Sequence, residues 1–281
     1  MAFSEEQLER YSRHFVLREI GVSGQKKLLR SKVLVIGAGA LGSGALLYLA
    51  AAGVGTIGIA DDDRVDRSNL QRQIVHRTDR IGMLKAVSAR QTLEELNPDV
   101  SFEVYPRRVT VDNIQEIIQP YDFIIDGTDR FESKFLINDA CVLSRKPYSH
   151  AGAVRFGGQT MTYVPEQGPC LRCLLDEVPP PDQSTTCSQA GVLGAVTGVL
   201  GSIQATEAIK YLLGAGDLLV GRVLSYDSLR MRFQTIQVPR AADRCKVCGE
   251  HPTICSLAEH REQYEVRGCA LSGNLDAGEV K

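Results

Sequence analysis

The sequence predicts an α/β fold with a doubly wound, mostly parallel sheet, followed by a β-rich C-terminal part. Three observations predict it: short apolar runs alternate with helical patterns from residue 33 onward, a glycine-rich turn joins the first run to the first helix, and β-structure dominates after Pro147. Alternating strands and helices are typical of parallel sheets, because each crossover helix returns the chain to the same edge. A chain of 281 residues is long enough to bury a sizeable core.

Composition and charge exclude several classes of partner. Thirty-two basic residues against 34 acidic ones give a net charge of -2, so the molecule as a whole is not drawn to nucleic acid or anionic membranes. The N-terminal sequence MAFSEEQLER has no apolar signal core, which predicts a cytoplasmic protein. The apolar stretch 191–213 has a GxxxG spacing at Gly194 and Gly198, but Glu207 and Lys210 favour a buried helix over a membrane span. We expect no nucleic acid and no membrane as partners.

Apolar periodicity defines the elements in chain order. Residues 1–30 form an N-terminal helical segment that precedes a domain over residues 31–250. Strands of that domain are expected at residues 33–36, 56–60, 100–104 and 121–125. Helical patterns follow at residues 41–52, at 83–96, from 112 onward and at 132–144. This alternation is the doubly wound pattern.

The character of the chain changes after Pro147. Residues 148–164 read as β-structure, and residues 165–190 are rich in Pro, Gln, Ser and Thr, which predicts a mobile loop. A long helix over 191–213 leads to a last β-region at 224–238. Residues 251–281 form a polar tail without periodicity, which we expect to be loosely ordered beyond Cys255.

A glycine-rich turn follows the first strand and opens the first helix. Gly37, Gly39 and Gly42 spell GxGxxG, and Asp61 closes the second strand 24 residues after Gly37. In this context the turn lets the backbone approach phosphate, the helix N-terminus binds the anion, and the carboxylate binds ribose hydroxyls. The motif indicates a Rossmann-like nucleotide site. A nicotinamide dehydrogenase would show the same turn, and a tight turn without a ligand is a further alternative.

The loop after the second strand differs from that of a dehydrogenase. It is polar and carries Asp63, Asn69, Arg72 and Gln73, and Lys85 starts the next helix. A triphosphate needs local cations and donors, and arginine gives bidentate contacts while lysine gives a point charge. These residues predict ATP binding, and the alternative is a solvated charged loop. Three consecutive acidic residues follow the second strand, so the sequence does not determine which of them binds the ribose.

The fourth strand ends in the sequence Asp126-Gly127-Thr128-Asp129. Ligands of open α/β sheets bind at this edge. Asp129 is a candidate Mg²⁺ ligand, because Mg²⁺ commonly uses one or two carboxylates together with substrate phosphates and water. The alternative for Asp129 is an N-cap of the following helix. For Asp126 we expect a structural role.

Two CxxC pairs, Cys170 with Cys173 and Cys245 with Cys248, are separated by 71 residues. Paired CxxC knuckles in a cytosolic chain indicate a tetrahedral structural Zn²⁺ site closed by four thiolates. Such a clip would join the root of the 165–190 loop to the last β-region. A redox dithiol or two unrelated pairs are the alternatives.

The remaining cysteines differ in their expected roles. Cys141 lies on a helical pattern and is expected to be buried. Cys187 ends the 165–190 loop and precedes a helix, whose N-terminal dipole would favour the thiolate, so it is a candidate nucleophile. Cys255 and Cys269 lie in the tail and carry no predicted role.

Together these motifs resemble those of the ThiF/MoeB/HesA adenylyltransferases, which are related to the ubiquitin-activating enzymes. The resemblance covers roughly residues 8–250. Those enzymes join AMP to the C-terminal Gly-Gly carboxylate of a ubiquitin-like sulfur carrier of the ThiS or MoaD type, releasing pyrophosphate. The resemblance implies the same reaction here, for sulfur transfer in thiamin, molybdopterin or related biosynthesis. It rests on Lys85 and on residues 10–14, 37–42, 68–73, 126–129 and 186–192.

The resemblance also implies roles for single residues. Asp61 would hold the ribose, Arg72 and Lys85 the phosphates, and Asp129 the Mg²⁺. Arg13 would reach the ATP of a neighbouring subunit, which implies a homodimer. A carboxylate with a pKa of about 4 is ionised at neutral pH, so adenylation requires no general base. No histidine is therefore assigned a role.

The family leaves the later sulfur chemistry open. The cysteine that matches Cys187 forms a covalent bond with the carrier or its sulfur in some members and is dispensable in others. Some relatives continue into a rhodanese-like domain, whereas only about 30 residues follow the last CxxC pair here. The expected sulfur donor is therefore a separate protein, such as a cysteine desulfurase or a rhodanese. Two rival hypotheses remain: an NAD-dependent Rossmann oxidoreductase and a non-catalytic scaffold that binds a ubiquitin-like protein.

Overall fold

A computed structural model describes residues 3–179 and 190–265 of the protein. Within these residues the strands are β1 Lys32–Ile36, β2 Thr56–Ala60, β3 Ser101–Tyr105, β4 Phe123–Asp126, β5 Tyr148–Val154, β6 Gly157–Tyr163, β7 Arg222–Asp227 and β8 Arg232–Gln237. The α-helices are α1 Glu5–Arg10, α2 Ser12–Phe15, α3 Gly21–Leu28, α4 Ala40–Ala51, α5 Lys85–Leu96, α6 Ile114–Ile118, α7 Phe131–Leu143, α8 Leu171–Leu174 and α9 Gly194–Leu213. The strands and helices expected from the sequence are present, although α9 begins three residues later than its apolar pattern.

The eight strands form one sheet in the order β3-β2-β1-β4-β5-β6-β7-β8. Strands β1 to β5 pair in parallel, and β6, β7 and β8 are added antiparallel. The chain leaves β1 toward β2 and β3 and later returns to β4 on the other side of β1. Ligands of such sheets bind in the crevice at the carboxyl ends of the strands where this switch occurs. The predicted doubly wound fold with a β-rich C-terminal part is confirmed.

Helices cover both faces of the sheet. Apolar residues of α4, α5 and α9 pack on one face, and those of α6, α7 and α8 pack on the other. The central strand β1 reads KVLVI and is buried over its last four residues. This run is continuous because the side chains on both faces of a parallel strand are covered by helices.

Helices α4 and α9 approach each other through glycines. A Cβ on Gly201 would lie 2.3 Å from the carbonyl oxygen of Leu41, and one on Gly44 would lie 3.1 Å from the carbonyl oxygen of Gly198. The small residues of α9 therefore serve helix packing inside the molecule. Across the described ranges, no helix has the length and apolarity needed to cross a membrane.

The N-terminal segment is helical, as predicted. Ser4 caps α1 in a capping box with Gln7. Tyr11 is buried, and its hydroxyl accepts a hydrogen bond of 3.0 Å from Asn97 Nδ2. This contact joins the N-terminal segment to the end of α5, while Arg13 on α2 stays exposed.

The root of the 165–190 loop is packed rather than mobile. It contains α8, in which Leu171 and Arg172 are buried against α7. The Pro, Ser and Thr residues that predicted mobility belong mainly to the segment 180–189. This segment, which includes Cys187, lies outside the described residues.

The tail is also packed over the part that the structure describes. Leu257 and Tyr264 are buried and join the apolar cluster formed by α6 and α7. The Tyr264 hydroxyl donates a hydrogen bond of 2.7 Å to the Asp139 carboxylate. The expectation of a loose tail is therefore wrong for residues 256–265, because two large side chains anchor them in the core.

Candidate functional site

A cavity of about 780 Å³ opens at the carboxyl ends of the parallel strands. The glycine-rich turn after β1 and the acidic end of β2 bound one side, and β5, β6 and β7 bound the other. A cavity of this size suits a small-molecule or cofactor-sized ligand. Residues with polar or backbone groups in its wall include Gly37, Gly39, Asp61, Asp63, Arg72, Gln73, Lys85, Asp129, Lys134 and His150.

The glycine-rich turn packs tightly against the sheet. Gly37 has a φ of +98°, and a Cβ there would lie 2.8 Å from the backbone of Gly127. A Cβ on Gly42 would lie 1.9 Å from the Gly37 carbonyl oxygen, so Gly42 serves helix–strand packing and does not line the cavity. Gly39 and Ala40 do line it. The free N–H groups at the start of α4 therefore meet the cavity, where they favour an anion.

Asp61 ends β2 at the cavity wall. Its carboxylate accepts hydrogen bonds from the backbone N–H of Ala38 at 2.8 Å and of Asp63 at 2.9 Å. Burial raises the pKa of Asp61 to about 6, although the Lys85 ammonium and the two backbone N–H groups lower it. The carboxylate is thus ionised at neutral pH while remaining sensitive to mild acid.

Lys85 is one of two buried lysines in the described wall of the cavity, the other being Lys134. Only 6% of Lys85 is exposed, and its Nζ lies 3.0 Å from Asp63 Oδ2. The Asp63 side chain is 70% exposed, so it is free to move away when another anion approaches Lys85. Lys85 also starts α5, and its backbone N–H donates to the Asp63 carbonyl. The start of α5 and the end of β2 are therefore fixed relative to each other.

The turn between Asn69 and Gln73 presents two further polar groups. Arg72 lines the cavity, and its guanidinium donates to the Ser68 carbonyl at 3.0 Å. Gln73 is buried, and its Oε1 has no hydrogen-bond partner among the described residues. Asn69 does not line the cavity; its carbonyl accepts from the N–H groups of Arg72 and Gln73. It shapes the turn that carries them.

Asp129 is exposed at the mouth of the cavity. Within the described residues it makes no hydrogen bond or ion pair. Arg130 occupies the N-cap position of α7 and makes no side-chain cap. The alternative role of Asp129 as an N-cap is therefore wrong, and its carboxylate is open to a cation.

Asp126 organises the floor of the cavity. It is fully buried and receives hydrogen bonds from Lys134 Nζ at 3.0 Å, His150 Nδ1 at 2.9 Å and the Thr128 hydroxyl at 2.6 Å. Burial alone would raise the pKa of Asp126, but the Lys134 ammonium and the His150 hydrogen bond hold it well below its usual range. These contacts give Asp126 the structural role expected of it, and they fix the loop that leads to Asp129.

Lys134 and His150 were not singled out by the sequence analysis, although both line the cavity. A basic residue directly before the apolar run 135–137 was the available signal for Lys134. His150 offers no such signal, because it meets Asp126 only through the register of β4 with β5.

The four cysteines of the CxxC pairs form one cluster. The Sγ atoms of Cys170, Cys173, Cys245 and Cys248 all lie within 4.8 Å of one another. Neighbouring Sγ atoms are 3.4 to 3.6 Å apart. Tetrahedral Zn–S bonds of about 2.3 Å place sulfurs about 3.8 Å apart, so the thiol set fits a closed zinc site. The cluster could hold such a metal after small adjustments.

A buried ion pair ties this cluster to α7. Arg172, between two of the cysteines, is 2% exposed and contacts both carboxylate oxygens of Asp139, at 2.8 to 2.9 Å. Gln263 and the Asp176 carbonyl accept from the same guanidinium. The cysteine cluster, α7 and the described part of the tail therefore form one packed unit.

Three predicted residues, Arg13, Gly42 and Asn69, do not line the cavity. Arg13 is exposed on α2. Cys187 lies outside the described residues. The prediction that Cys141 is buried is confirmed, since this residue of α7 is fully buried.

Comparison with known proteins identifies the family. Residues 11–247 match the ThiF family. The chain belongs to the ThiF family. A match of this extent covers the glycine-rich turn, the whole cavity wall and three of the clustered cysteines.

Several relatives of this ThiF-family chain carry informative names. It is 43% identical to the sulfur carrier protein adenylyltransferase of Thermus thermophilus, over 92% of the chain and 97% of the relative. It is 48% identical to the SAMP-activating enzyme E1 of Haloferax volcanii, over 87% of the chain and 90% of the relative. It is 42% identical to the adenylyltransferase and sulfurtransferase MOCS3 of Anopheles gambiae. The chain spans only 59% of the length of that mosquito relative.

Solved structures agree with the fold. The Escherichia coli MccB complex with MccA-N7isoASN superposes with a TM-score of 0.76, covering 88% of this ThiF-family chain and 76% of MccB. The two sequences are 23% identical. The likeness at this level concerns the fold alone.

Proposed function

We propose that the protein uses ATP to adenylate the C-terminal Gly-Gly carboxylate of a ubiquitin-like sulfur-carrier protein of the ThiS or MoaD type, releasing pyrophosphate. The observation that carries this proposal is one cavity that combines a glycine-rich turn, the buried Lys85 and Asp129, whose carboxylate has no partner among the described residues. Relatives named as adenylating or activating enzymes match nearly the whole chain. The product would feed sulfur transfer in thiamin, molybdopterin or related biosynthesis.

The chemistry requires charge neutralisation rather than a base. The carrier carboxylate is ionised at neutral pH and attacks the α-phosphorus, while the bond to pyrophosphate breaks. Lys85 and Arg72 line the cavity and would neutralise phosphate charge. Preorganised cations in such a site stabilise the transition state. Asp129 would hold Mg²⁺, which supplies further neutralisation of the phosphate oxygens when bound. Asp61 would accept hydrogen bonds from the ribose hydroxyls.

The two ends of the cavity suit the two substrates. The nucleotide end has the N-terminus of α4 and the acids of β2. The antiparallel end is lined by Gly152, Gly157 and Gly158. A Cβ on Gly152 would meet nothing within 4 Å, so the missing side chain leaves open space at that position. An extended Gly-Gly tail has no side chains of its own and fits such a surface. The reacting carboxylate and α-phosphate would then meet between the two ends.

Pyrophosphate exchange tests the proposal. The probe is a recombinant ubiquitin-like protein with a free C-terminal Gly-Gly, called the carrier probe below, and the control is the same protein without its last two residues. Exchange between labelled pyrophosphate and ATP is expected only with the intact probe. Exchange that ignores the tail contradicts the proposal, and absence of exchange with every Gly-Gly-ending probe supports the scaffold alternative. Calorimetry showing tighter binding of NAD than of ATP would support the oxidoreductase.

Affinity for ATP is expected to depend on pH through Asp61. Protonation removes the acceptor for ribose hydroxyls, so the contribution of Asp61 is present above its pKa of about 6 and is lost below it. Each pH unit below that value is expected to reduce affinity about tenfold. Calorimetry measures the affinity of the wild-type protein and of Asp61→Asn for ATP at each pH. The ratio of the two affinities is the quantity to follow, because protonation of ATP affects both proteins equally and cancels. A ratio that stays constant down to about pH 5 contradicts the assignment.

The homodimer and the role of Arg13 can be tested together. Because Arg13 is exposed and does not line the cavity of its own chain, we propose that it completes the site of a partner subunit. Mixing inactive Arg13→Ala and Lys85→Ala subunits is expected to restore about a quarter of the wild-type sites, since half of the dimers are mixed and each has one complete site. Arg30→Ala, another exposed arginine of the same segment, is the control and is expected to be active alone. No recovery despite verified subunit exchange contradicts the proposal.

Cys187 is proposed to act after adenylation, in sulfur transfer with a separate donor such as a cysteine desulfurase or a rhodanese. A thiolate attacks a mixed anhydride readily, whereas adenylation needs no thiol. Cys187→Ser is expected to retain pyrophosphate exchange and to lose any covalent adduct with the carrier probe, as seen by non-reducing mass spectrometry. Loss of exchange in a folded variant contradicts this separation of steps.

A further inference from the structure

His150 is held by a fixed hydrogen-bond arrangement at the cavity floor. It is the register partner of Asp126 in the parallel pair of β5 with β4, and its Nδ1 lies 2.9 Å from Asp126 Oδ2. The same oxygen accepts from Lys134 Nζ, and the other oxygen accepts from the N–H and hydroxyl of Thr128. The carboxylate is fully buried and satisfied. The orientation of the imidazole is thus set by a group that cannot easily rotate.

This arrangement fixes the tautomer of His150. An ionised carboxylate only accepts hydrogen bonds, so the proton of the neutral imidazole lies on Nδ1. The lone pair then lies on Nε2, which has no hydrogen-bond partner among the described residues. Burial lowers the pKa of His150, and the Lys134 ammonium adds to this effect. The imidazole is therefore neutral at physiological pH and presents an unpaired acceptor.

The location of His150 suits a role at the reacting atoms. On one side, Lys134 and the loop to Asp129 lead to the nucleotide end of the cavity. On the other side, β5 continues into Gly152, which lines the antiparallel end. His150 itself lines the cavity between them, although only 5% of the residue is exposed. A group at the junction of the two ends is close to where an acyl-adenylate would form.

Adenylation leaves this acceptor unused, because the attacking carboxylate has no proton to lose. Release of the carrier from its adenylate by a sulfur nucleophile does involve a proton. We propose that His150 is the base for that second step, an inference that rests on the proposed function. Nε2 takes the proton of an attacking thiol, the sulfur forms a bond to the acyl carbon, and the carbon–oxygen bond to AMP breaks so that AMP leaves with the electron pair. The Asp126 carboxylate stabilises the resulting imidazolium, as a buried carboxylate does for a histidine base.

The test separates the two half-reactions in one protein. The carrier probe is adenylated in a single turnover, 2-mercaptoethanol is added, and mass spectrometry follows the thioester of the probe. His150→Gln keeps a donor for Asp126 but has no base, so its transfer rate is expected to fall about 100-fold further than its exchange rate. His251→Gln makes the same substitution at an exposed histidine and is expected to keep both rates.

A second variant distinguishes a base from a structural residue. His150→Ala leaves space for a small molecule, and added imidazole is expected to restore thioester formation without changing exchange. Equal losses in both half-reactions, or transfer that does not respond to imidazole, would overturn the assignment. A wild-type protein that forms no adenylate would instead overturn the proposed function, and this inference with it.

Discussion

Lys85→Ala is expected to slow carrier-dependent pyrophosphate exchange by about two to three orders of magnitude, the usual loss for one transition-state charge contact. The expected effect is large because Lys85 is a buried cation of the cavity wall and is held at the start of α5. Lys27→Ala is a matched control, since the Lys27 ammonium is exposed and donates to the Leu213 carbonyl on the surface. A near-normal rate in Lys85→Ala would mean that the phosphates bind elsewhere.

Lys85 forms an ion pair with Asp63, and a double variant of the two residues distinguishes two explanations for a slow Lys85→Ala variant. If Lys85 served only to neutralise Asp63, removing both side chains would restore activity. If Lys85 contacts phosphate, the double variant Asp63→Ala with Lys85→Ala is expected to stay as slow as the single one. The exposed position of the Asp63 side chain favours the second outcome, because water already solvates that carboxylate.

We propose that the cysteine cluster binds one Zn²⁺ per chain, and its loss is expected to have the second large effect. Cys245→Ser is expected to lose the metal and to lower the Tm by about 10 °C, since structural zinc contributes directly to the free energy of folding. Elemental analysis and a thermal melt give the two measurements. Cys255→Ser is the control, because that thiol is exposed and lies outside the cluster. Freshly purified, unchelated protein that contains no zinc would contradict the proposal.

The elements that the sequence predicted well are those with local signals. Apolar runs, the glycine spacing at Gly37 to Gly42 and the paired CxxC motifs each depend on neighbouring residues in the chain. Their positions in the structure follow from the parallel sheet, which brings the carboxyl ends of its strands to one edge. The sequence could therefore predict that the cavity lies at the carboxyl ends of the parallel strands.

The elements that the sequence did not predict depend on distant contacts. His150 meets Asp126 only because of the register between two strands, and Asn69 was assigned to the ligand although its carbonyl supports the turn. The burial of Tyr264 likewise depends on Asp139, 125 residues earlier in the chain. Composition classifies such a tail as polar and gives no sign of the single aromatic that anchors it.

The glycine contacts between α4 and α9 have a consequence for how a nucleotide is received. A backbone-to-backbone contact leaves no flexible side chain between the helices that could absorb a sliding movement. The start of α4, and with it the glycine-rich turn, is therefore preorganised before any ligand arrives. The turn is ordered when the protein folds. Little of the free energy of nucleotide binding is therefore spent on ordering it.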